Sequence, residues 1–302
     1  MMKEIKNTGY LREGHIKVTG GNVWYKIVGA DKDKTPVITL HGGPAASHFY
    51  LSPLEALANE RPVIFYDQLG CGLSDKTNNK SIWTIEHFVE ELSQIREALN
   101  LKKVHILGHS WGTMLAIDYI LKLAPKGIIS LIFSGPCLSA TMWGLDQRKY
   151  LLELPLKIRE IILKAERAEN FDSKEYQDAM LDYYKLHVCR LPSWPDCLKR
   201  ALSEMNYEIY KYMWGPSEFT ITGTLKKYDR INELYKIKIP TLFTCGEFDE
   251  TTPQTTDFYH KKIPQSEIFV FKNASHNHHL EKTKEYLMVI SDFLKRVEKN
   301  NS

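Results

Sequence analysis

A serine between two glycines, a downstream acid and a later histidine are the residues whose types and order could do nucleophilic chemistry. Ser110 stands in Gly108-His109-Ser110-Trp111-Gly112, after the apolar run Val104-His105-Ile106-Leu107 and before an apolar, helix-like stretch over 114–123. Strand, Gly-x-Ser-x-Gly, helix is the context of a nucleophile elbow, a tight turn that pushes the serine out over the sheet edge. A serine hydroxyl is a poor nucleophile in water, so the motif needs a base and a group to orient that base. Both follow, acid before histidine. The apolar run 240–246 ends in Glu247-Phe248-Asp249-Glu250, and the run 267–271 leads into Lys272-Asn273-Ala274-Ser275-His276. The chemistry is acyl transfer: Ser110 attacks, His276 takes its proton, and Asp249 fixes the imidazole tautomer and stabilises the imidazolium. Asp249 as a turn closer and His276 as a surface residue is the competing reading. Three pieces in the right order, each behind a strand-like run, weigh against it.

Acyl transfer also needs donors for the developing oxyanion. His41-Gly42-Gly43-Pro44-Ala45 follows the strand-like run 35–40, where this architecture supplies a backbone donor. The backbone N–H groups of Gly43 and Trp111 are the expected pair, with Gly42 the alternative to Gly43. Two further carboxylates bear on the substrate. Glu250 follows Asp249, and adjacent residues leaving a strand point in different directions. Glu218 lies in the non-helical stretch Met213-Trp214-Gly215-Pro216-Ser217-Glu218-Phe219. Two carboxylates near a scissile carbonyl would hold a peptide's free α-ammonium, which has a pKa near ~8 and pairs strongly with carboxylate when desolvated. Two solvated surface glutamates fit the residues as well. Asp67, in Asp67-Gln68-Leu69-Gly70-Cys71-Gly72-Leu73-Ser74, precedes the nucleophile and is read as structural. His276, His278 and His279 cluster in sequence, but His276 is claimed by the triad and no matching ligand pattern stands elsewhere, so no metal and no cofactor are expected.

The elements that must carry these residues are legible as alternating patterns. Segments 15–19 and 22–29 alternate like a hairpin around Gly20-Gly21. Runs at 36–40, 62–66, 103–107, 128–133, 239–245 and 267–271 have buried-strand length, with helical patterns at 84–99, 112–123 and 284–298. An antiparallel start followed by strand–helix alternation predicts an α/β fold. Its sheet is mainly parallel, with eight strands and helices on both faces. From about 140 to 215 the chain is helical, charged and rich in aromatics. The division expected is a first core part over 1–137, a helical cap over 138–228, and a second core part over 229–302. Trp143, Tyr150 and Trp214 are candidates for the pocket of the first substrate side chain.

The 302 residues are 43% hydrophobic and 25% charged, with a formal net charge of +3. No basic run with interleaved aromatics suggests a nucleic-acid partner, and no apolar stretch is long enough to span a bilayer. The beginning of the sequence lacks the apolar region of a signal peptide. Five scattered cysteines without Cys-x-x-Cys suggest neither disulfides nor zinc. A reduced, cytoplasmic setting is the expectation.

Taken together, the motifs resemble the proline iminopeptidase (prolyl aminopeptidase) family of α/β-hydrolases, most closely its tricorn-interacting aminopeptidase branch and the lactobacillal prolyl aminopeptidases. The resemblance runs through nearly the whole chain. It rests on His41-Gly42-Gly43-Pro44, Asp67-Gln68-Leu69-Gly70-Cys71-Gly72, Gly108-His109-Ser110-Trp111-Gly112, Trp214-Gly215-Pro216-Ser217-Glu218-Phe219, Gly246-Glu247-Phe248-Asp249-Glu250 and Ser275-His276. It implies an α/β-hydrolase fold with an inserted cap, Glu218 and Glu250 holding the substrate's amino terminus, and a serine aminopeptidase. Such an enzyme releases an N-terminal residue, often proline, from short peptides. It also suggests a link to an upstream protease that produces those peptides. Without the glutamates in play, the same triad would serve a carboxylesterase or lactonase. The family usually has glycine at the position of Ala45, glycine or glutamine at that of His109, and a second glycine at that of Thr113. The Ala45 methyl is expected to narrow the pocket, and His109 to pack beneath the elbow.

Overall fold

The computed structural model describes residues 10–300. Strands β1 (Leu11–Val18), β2 (Gly21–Val28), β3 (Val37–Leu40), β4 (Val63–Tyr66), β5 (Val104–His109), β6 (Ile128–Ser134), β7 (Thr241–Gly246) and β8 (Ser266–Phe271) form one sheet. Their order across it is β1-β2-β4-β3-β5-β6-β7-β8. β1 and β2 make an antiparallel hairpin, and β2 runs antiparallel to β4. Every later pairing is parallel. Each residue of β3, β4, β5 and β7 is buried, as helices on both faces require. The edge strand β1 starts at Leu11, four residues before the expected strand. Arg12, Glu13 and Gly14 break the apolar pattern, but pairing with Ile27, Lys26 and Tyr25 holds them in the ladder while one face meets solvent.

On one face lie α1 (Ile85–Ala98) and α2 (Trp111–Leu123), whose Phe88, Leu92, Ile95, Met114 and Leu115 share a core cluster with β3 and β5. Thr84 caps α1 by accepting from the His87 N–H. The five helices α3 (Ala140–Glu153), α4 (Leu156–Ala168), α5 (Lys174–His187), α6 (Asp196–Ser203) and α7 (Tyr207–Met213) all fall between β6 and β7. After β7 come α8 (Pro253–His260), the short α9 (His278–Glu281) and α10 (Thr283–Asn300). The second face is closed by α10 and by a 3-10 helix at His48–Asn59, through Leu51, Leu54, Leu57, Ile290 and Phe293.

The inserted helices leave and rejoin the core at one neck. The Ala140 N–H donates to Tyr228 O (2.9 Å) and the Arg230 N–H to Leu138 O (3.0 Å). Arg230 then grips buried Asp118 of α2 with Nε at 2.7 Å and Nη2 at 2.8 Å. The cap is also bonded to the loops that carry the site. The Tyr150 hydroxyl donates to Asp249 O (2.9 Å) and Gln147 Nε2 to Glu250 O (2.9 Å). The backbone N–H of His276 donates to His187 O (2.9 Å).

Candidate active site

Ser110 sits between β5 and α2 with φ 55° and ψ −121°, a left-handed conformation unusual for a side-chain-bearing residue. Holding it there costs about 1–3 kcal/mol, which the surrounding packing supplies. The flanking glycines are steric requirements. A Cβ on Gly108 would collide with the Gly112 carbonyl, and one on Gly112 with the Leu40 carbonyl. The Ser110 N–H donates to Ser134 O (2.9 Å), so the turn hangs on β6. Thr113, where a glycine was the comparison, locks the turn: its hydroxyl donates to Ser110 O (2.6 Å) and accepts from the Cys137 N–H (2.9 Å).

Asp249 lies in the turn after β7, and His276 in the loop after β8. His276 Nδ1 is 2.7 Å from Asp249 Oδ1. An ionised carboxylate only accepts, so Nδ1 carries the proton and Nε2 of the neutral ring keeps its lone pair for a base role. Asp249 also accepts from the N–H groups of Gly246 and Thr251, both at 3.1 Å. Burial by itself would raise the Asp249 carboxyl, but His276 beside it, seconded by His278, holds it below its ordinary value. His278 is a partner that no motif marks: its Nδ1 is 3.5 Å from Asp249 Oδ2, and its Nε2 lies 2.9 Å from the Ser134 hydroxyl and 3.0 Å from that of Thr244. His279 lies apart from both, with Nε2 donating to Tyr50 O (3.1 Å).

Ser110, His276, Gly42, Gly43, Glu218 and Glu250 all line one cavity of about 370 Å³ under the cap. His276 Nε2 is 3.7 Å from Glu250 Oε2. Glu250 Oε1 is buried with no hydrogen-bond partner, and the Tyr210 hydroxyl donates to Glu218 Oε1. Burial raises both carboxyls, and for Glu250 the neighbouring charges of Glu218 and Asp249 add to it. Of the two glycine amides weighed for the oxyanion, Gly42 is already committed: its N–H donates to the Tyr50 hydroxyl (2.7 Å).

The cap's aromatic contribution to the cavity is Phe171, Tyr176, Tyr184, Trp194, Tyr207 and Tyr210, from α5, α7 and the loops beside them, and Tyr50 adds a ring from the core. Trp143, Tyr150 and Trp214 do not line the cavity. Trp143 stands edge-on to His276 (ring centroids 5.8 Å) and to Trp214 (5.7 Å), and Tyr150 stacks near His187 (3.8 Å) behind the acid turn. Irregular aromatic spacing in the cap gave no means of telling the inner face from the supporting one. Ala45 is buried in the core, and Ala46 is the alanine that lines the cavity, so the Ala45 methyl does not narrow it. Asp67 lies off the cavity, accepting from the His48 N–H (2.7 Å), the His48 ring (2.9 Å) and the Leu73 N–H (2.8 Å).

The α/β hydrolase fold family model matches residues 35–283. The chain is 49% identical to a proline iminopeptidase of Heyndrickxia coagulans, covering 94% of this chain and 99% of that one. The chain belongs to the proline iminopeptidase family of α/β hydrolases. A Lactobacillus acidophilus relative of the same designation is 37% identical over 93% of this chain and 97% of its own length. Among solved structures, the proline iminopeptidase of Mycobacterium smegmatis superposes with a TM-score of 0.89 at 31% identity, over 96% of this chain and all of that one. Family membership fits the eight-stranded sheet with its helices inserted between β6 and β7. Among the described residues no helix is long and apolar enough to cross a membrane.

Proposed function

We propose that this chain is a serine aminopeptidase that releases an N-terminal residue, proline and other apolar residues, from short peptides. The observation that carries this reading is Glu250 Oε1, a buried acceptor without a partner in the same cavity as Ser110, His276 and Glu218. A substrate ammonium supplies the missing donor and neutralises the carboxylate pair. Designation of the relatives as proline iminopeptidases supports proline as a first residue.

In the proposed cycle Ser110 Oγ attacks the first peptide carbonyl while His276 Nε2 takes its proton. The N–H groups of Gly43 and Trp111 hold the oxyanion. His276 then passes the proton to the leaving amine, and the acyl-enzyme forms with one peptide bond broken. Water, deprotonated by His276, attacks the ester carbonyl, and His276 returns that proton to Ser110 Oγ as the ester bond breaks and the amino acid leaves. The residues 138–228 act as the cap that admits short peptides only. The setting proposed is the cytoplasm, with peptides supplied by an upstream protease.

The test is turnover of prolyl and leucyl fluorogenic amides beside their N-acetylated forms and p-nitrophenyl acetate. Free amides should be cleaved and acetylated ones spared. Equal turnover of free and acetylated amides would overturn the reading.

A further inference from the structure

His109 does more than fill space under the elbow. Its Nε2 lies 3.0 Å from the His276 carbonyl oxygen and its Nδ1 2.9 Å from the Tyr50 hydroxyl. A carbonyl only accepts, so Nε2 carries the proton. Burial, with the charges of His276 and His279 nearby, keeps the ring neutral. Nδ1 therefore accepts, and the donor is the Tyr50 O–H. The Tyr50 oxygen in turn accepts from the Gly42 N–H at 2.7 Å. Each donor and acceptor in this chain has one consistent role.

We propose that Tyr50 and His109 form a positioning strut, Gly42 N–H to Tyr50 to His109 to His276 O, that sets the oxyanion loop, the serine turn and the base loop against one another. These three loops follow β3, β5 and β8, which are not mutual neighbours throughout the sheet. β3 and β5 pair directly, with Leu40 opposite Gly108, but β8 stands three strands from β5, so pairing relates the base loop to the other two only through β6 and β7. The strut joins them through one imidazole and one phenol.

The consequence for the reaction lies in the direction of one amide. With the Gly42 N–H fixed on Tyr50, the Gly42 carbonyl is held on its other side by the Ala46 N–H (3.3 Å) and by His41 Nδ1 (3.0 Å). A trans peptide is planar, so the Gly43 N–H points opposite to that carbonyl. Gly43 lines the cavity, and in the proposed arrangement its N–H faces the oxyanion that forms there. His279 anchors the same tyrosine from behind, donating to Tyr50 O at 3.1 Å.

The strut rests on the reading of Ser110 as nucleophile, and its test uses three variants. Tyr50→Phe and His109→Leu each break it. His109→Gln offers an amide oxygen to Tyr50 and an amide N–H to the His276 carbonyl, at a separation close to that of the two ring nitrogens. For both a prolyl amide and p-nitrophenyl acetate, the breaking variants should lower kcat roughly 10- to 100-fold with little change in KM, somewhat less than deletion of an oxyanion donor. Affinity for a prolyl boronate, which mimics the tetrahedral intermediate, should fall in step with kcat, while affinity for proline stays constant. His109→Gln should recover most of the rate. Thermal melts identify any variant that fails to fold, in which case the His109 pair decides the matter. The proposal is overturned if folded breaking variants keep wild-type kcat, if the loss lies in KM, or if folded His109→Gln is as slow as His109→Leu. A wrong aminopeptidase assignment shows itself separately, as a wild-type protein that turns over the ester and not the amide.

Discussion

Replacing Glu250 by glutamine isolates the charge in the proposed ammonium clamp while keeping the shape of the side chain. Opposite unit charges 4 Å apart at an effective dielectric near 20 attract by about 4 kcal/mol. Part of that is offset, because the carboxylate pair already sits out of water: Glu250 is 3% exposed, and its carboxyl is raised by burial and by Glu218. A charged hydrogen bond in such a place contributes a net of about 1.5–3 kcal/mol. Glu250→Gln should therefore lower kcat/KM for L-prolyl p-nitroanilide by roughly 10- to 150-fold, at about 1.4 kcal/mol per decade. For p-nitrophenyl acetate, which has no amine, it should change by less than about threefold on the same scale. The pH profile carries a second signature. Both glutamates have raised pKa values, so on acidification they protonate early and the ammonium loses its partners. At high pH the amine itself deprotonates, near ~8. Binding of the amide substrate should fall at both ends, whereas the ester lacks the alkaline limb. Steady-state kinetics from pH 5 to 9 with both substrates measures this. An equal fall for amide and ester, or no fall for either, refutes the clamp.

Three other perturbations follow from the geometry. Asp249→Asn removes the acceptor that fixes the Nδ1–H tautomer of His276, and kcat should drop on the order of 10⁴-fold with KM nearly constant; a loss under tenfold would show that His276 is oriented by other groups. Ala45 has φ 77°, and Ala45→Gly should raise the unfolding free energy by about 1 kcal/mol, seen as a higher urea midpoint at unchanged m. Arg230→Met removes the two-pronged grip on buried Asp118 at the neck of the cap and leaves it Lys122 Nζ (3.1 Å) and the Tyr228 hydroxyl (2.9 Å), and should cost about 1.5–3 kcal/mol in a denaturation titration.

Much of the frame was legible because it is repetitive. Continuous apolar runs mark the buried strands, and the order of serine, acid and histidine places the three loops at one end of a parallel sheet. Where the reading fell short, the deciding contacts join residues remote in sequence. Tyr50 lies in a 3-10 helix with Pro53 inside it, which has no clean period. Nothing in its local pattern says that its hydroxyl serves Gly42 and His109. His278 differs in no visible way from its neighbour His279, yet one backs Asp249 and the other holds Tyr50. The cap aromatics were misassigned for the same reason. Only the packing of α5 and α7 over the sheet separates Tyr184 and Tyr210, which face the cavity, from Tyr150 and Trp143, which pack against Asp249 and His276 from outside it.

One turn ties the two halves of the proposed function together. Asp249 and Glu250 are consecutive, so the group that orients the base and the group that would hold the amine share a backbone. That backbone is itself fixed by the cap: Tyr150 bonds the Asp249 carbonyl, and Gln147 bonds the Glu250 carbonyl. The ammonium site therefore stands at a set distance from His276 Nε2, which is 3.7 Å from Glu250 Oε2. Ser110 and Glu250 line the same cavity, so in the proposed pose the carbonyl one bond from the substrate's α-carbon is the one presented to Ser110 when its amine occupies that site. The next carbonyl along the chain lies about 3.8 Å further on, by the spacing of consecutive residues. Cleavage after the first residue and not the second then follows from the rigidity of this turn. A longer loop at this turn, such as a two-residue glycine insertion after Glu250, should loosen the distance and lower prolyl-amide turnover far more than ester turnover.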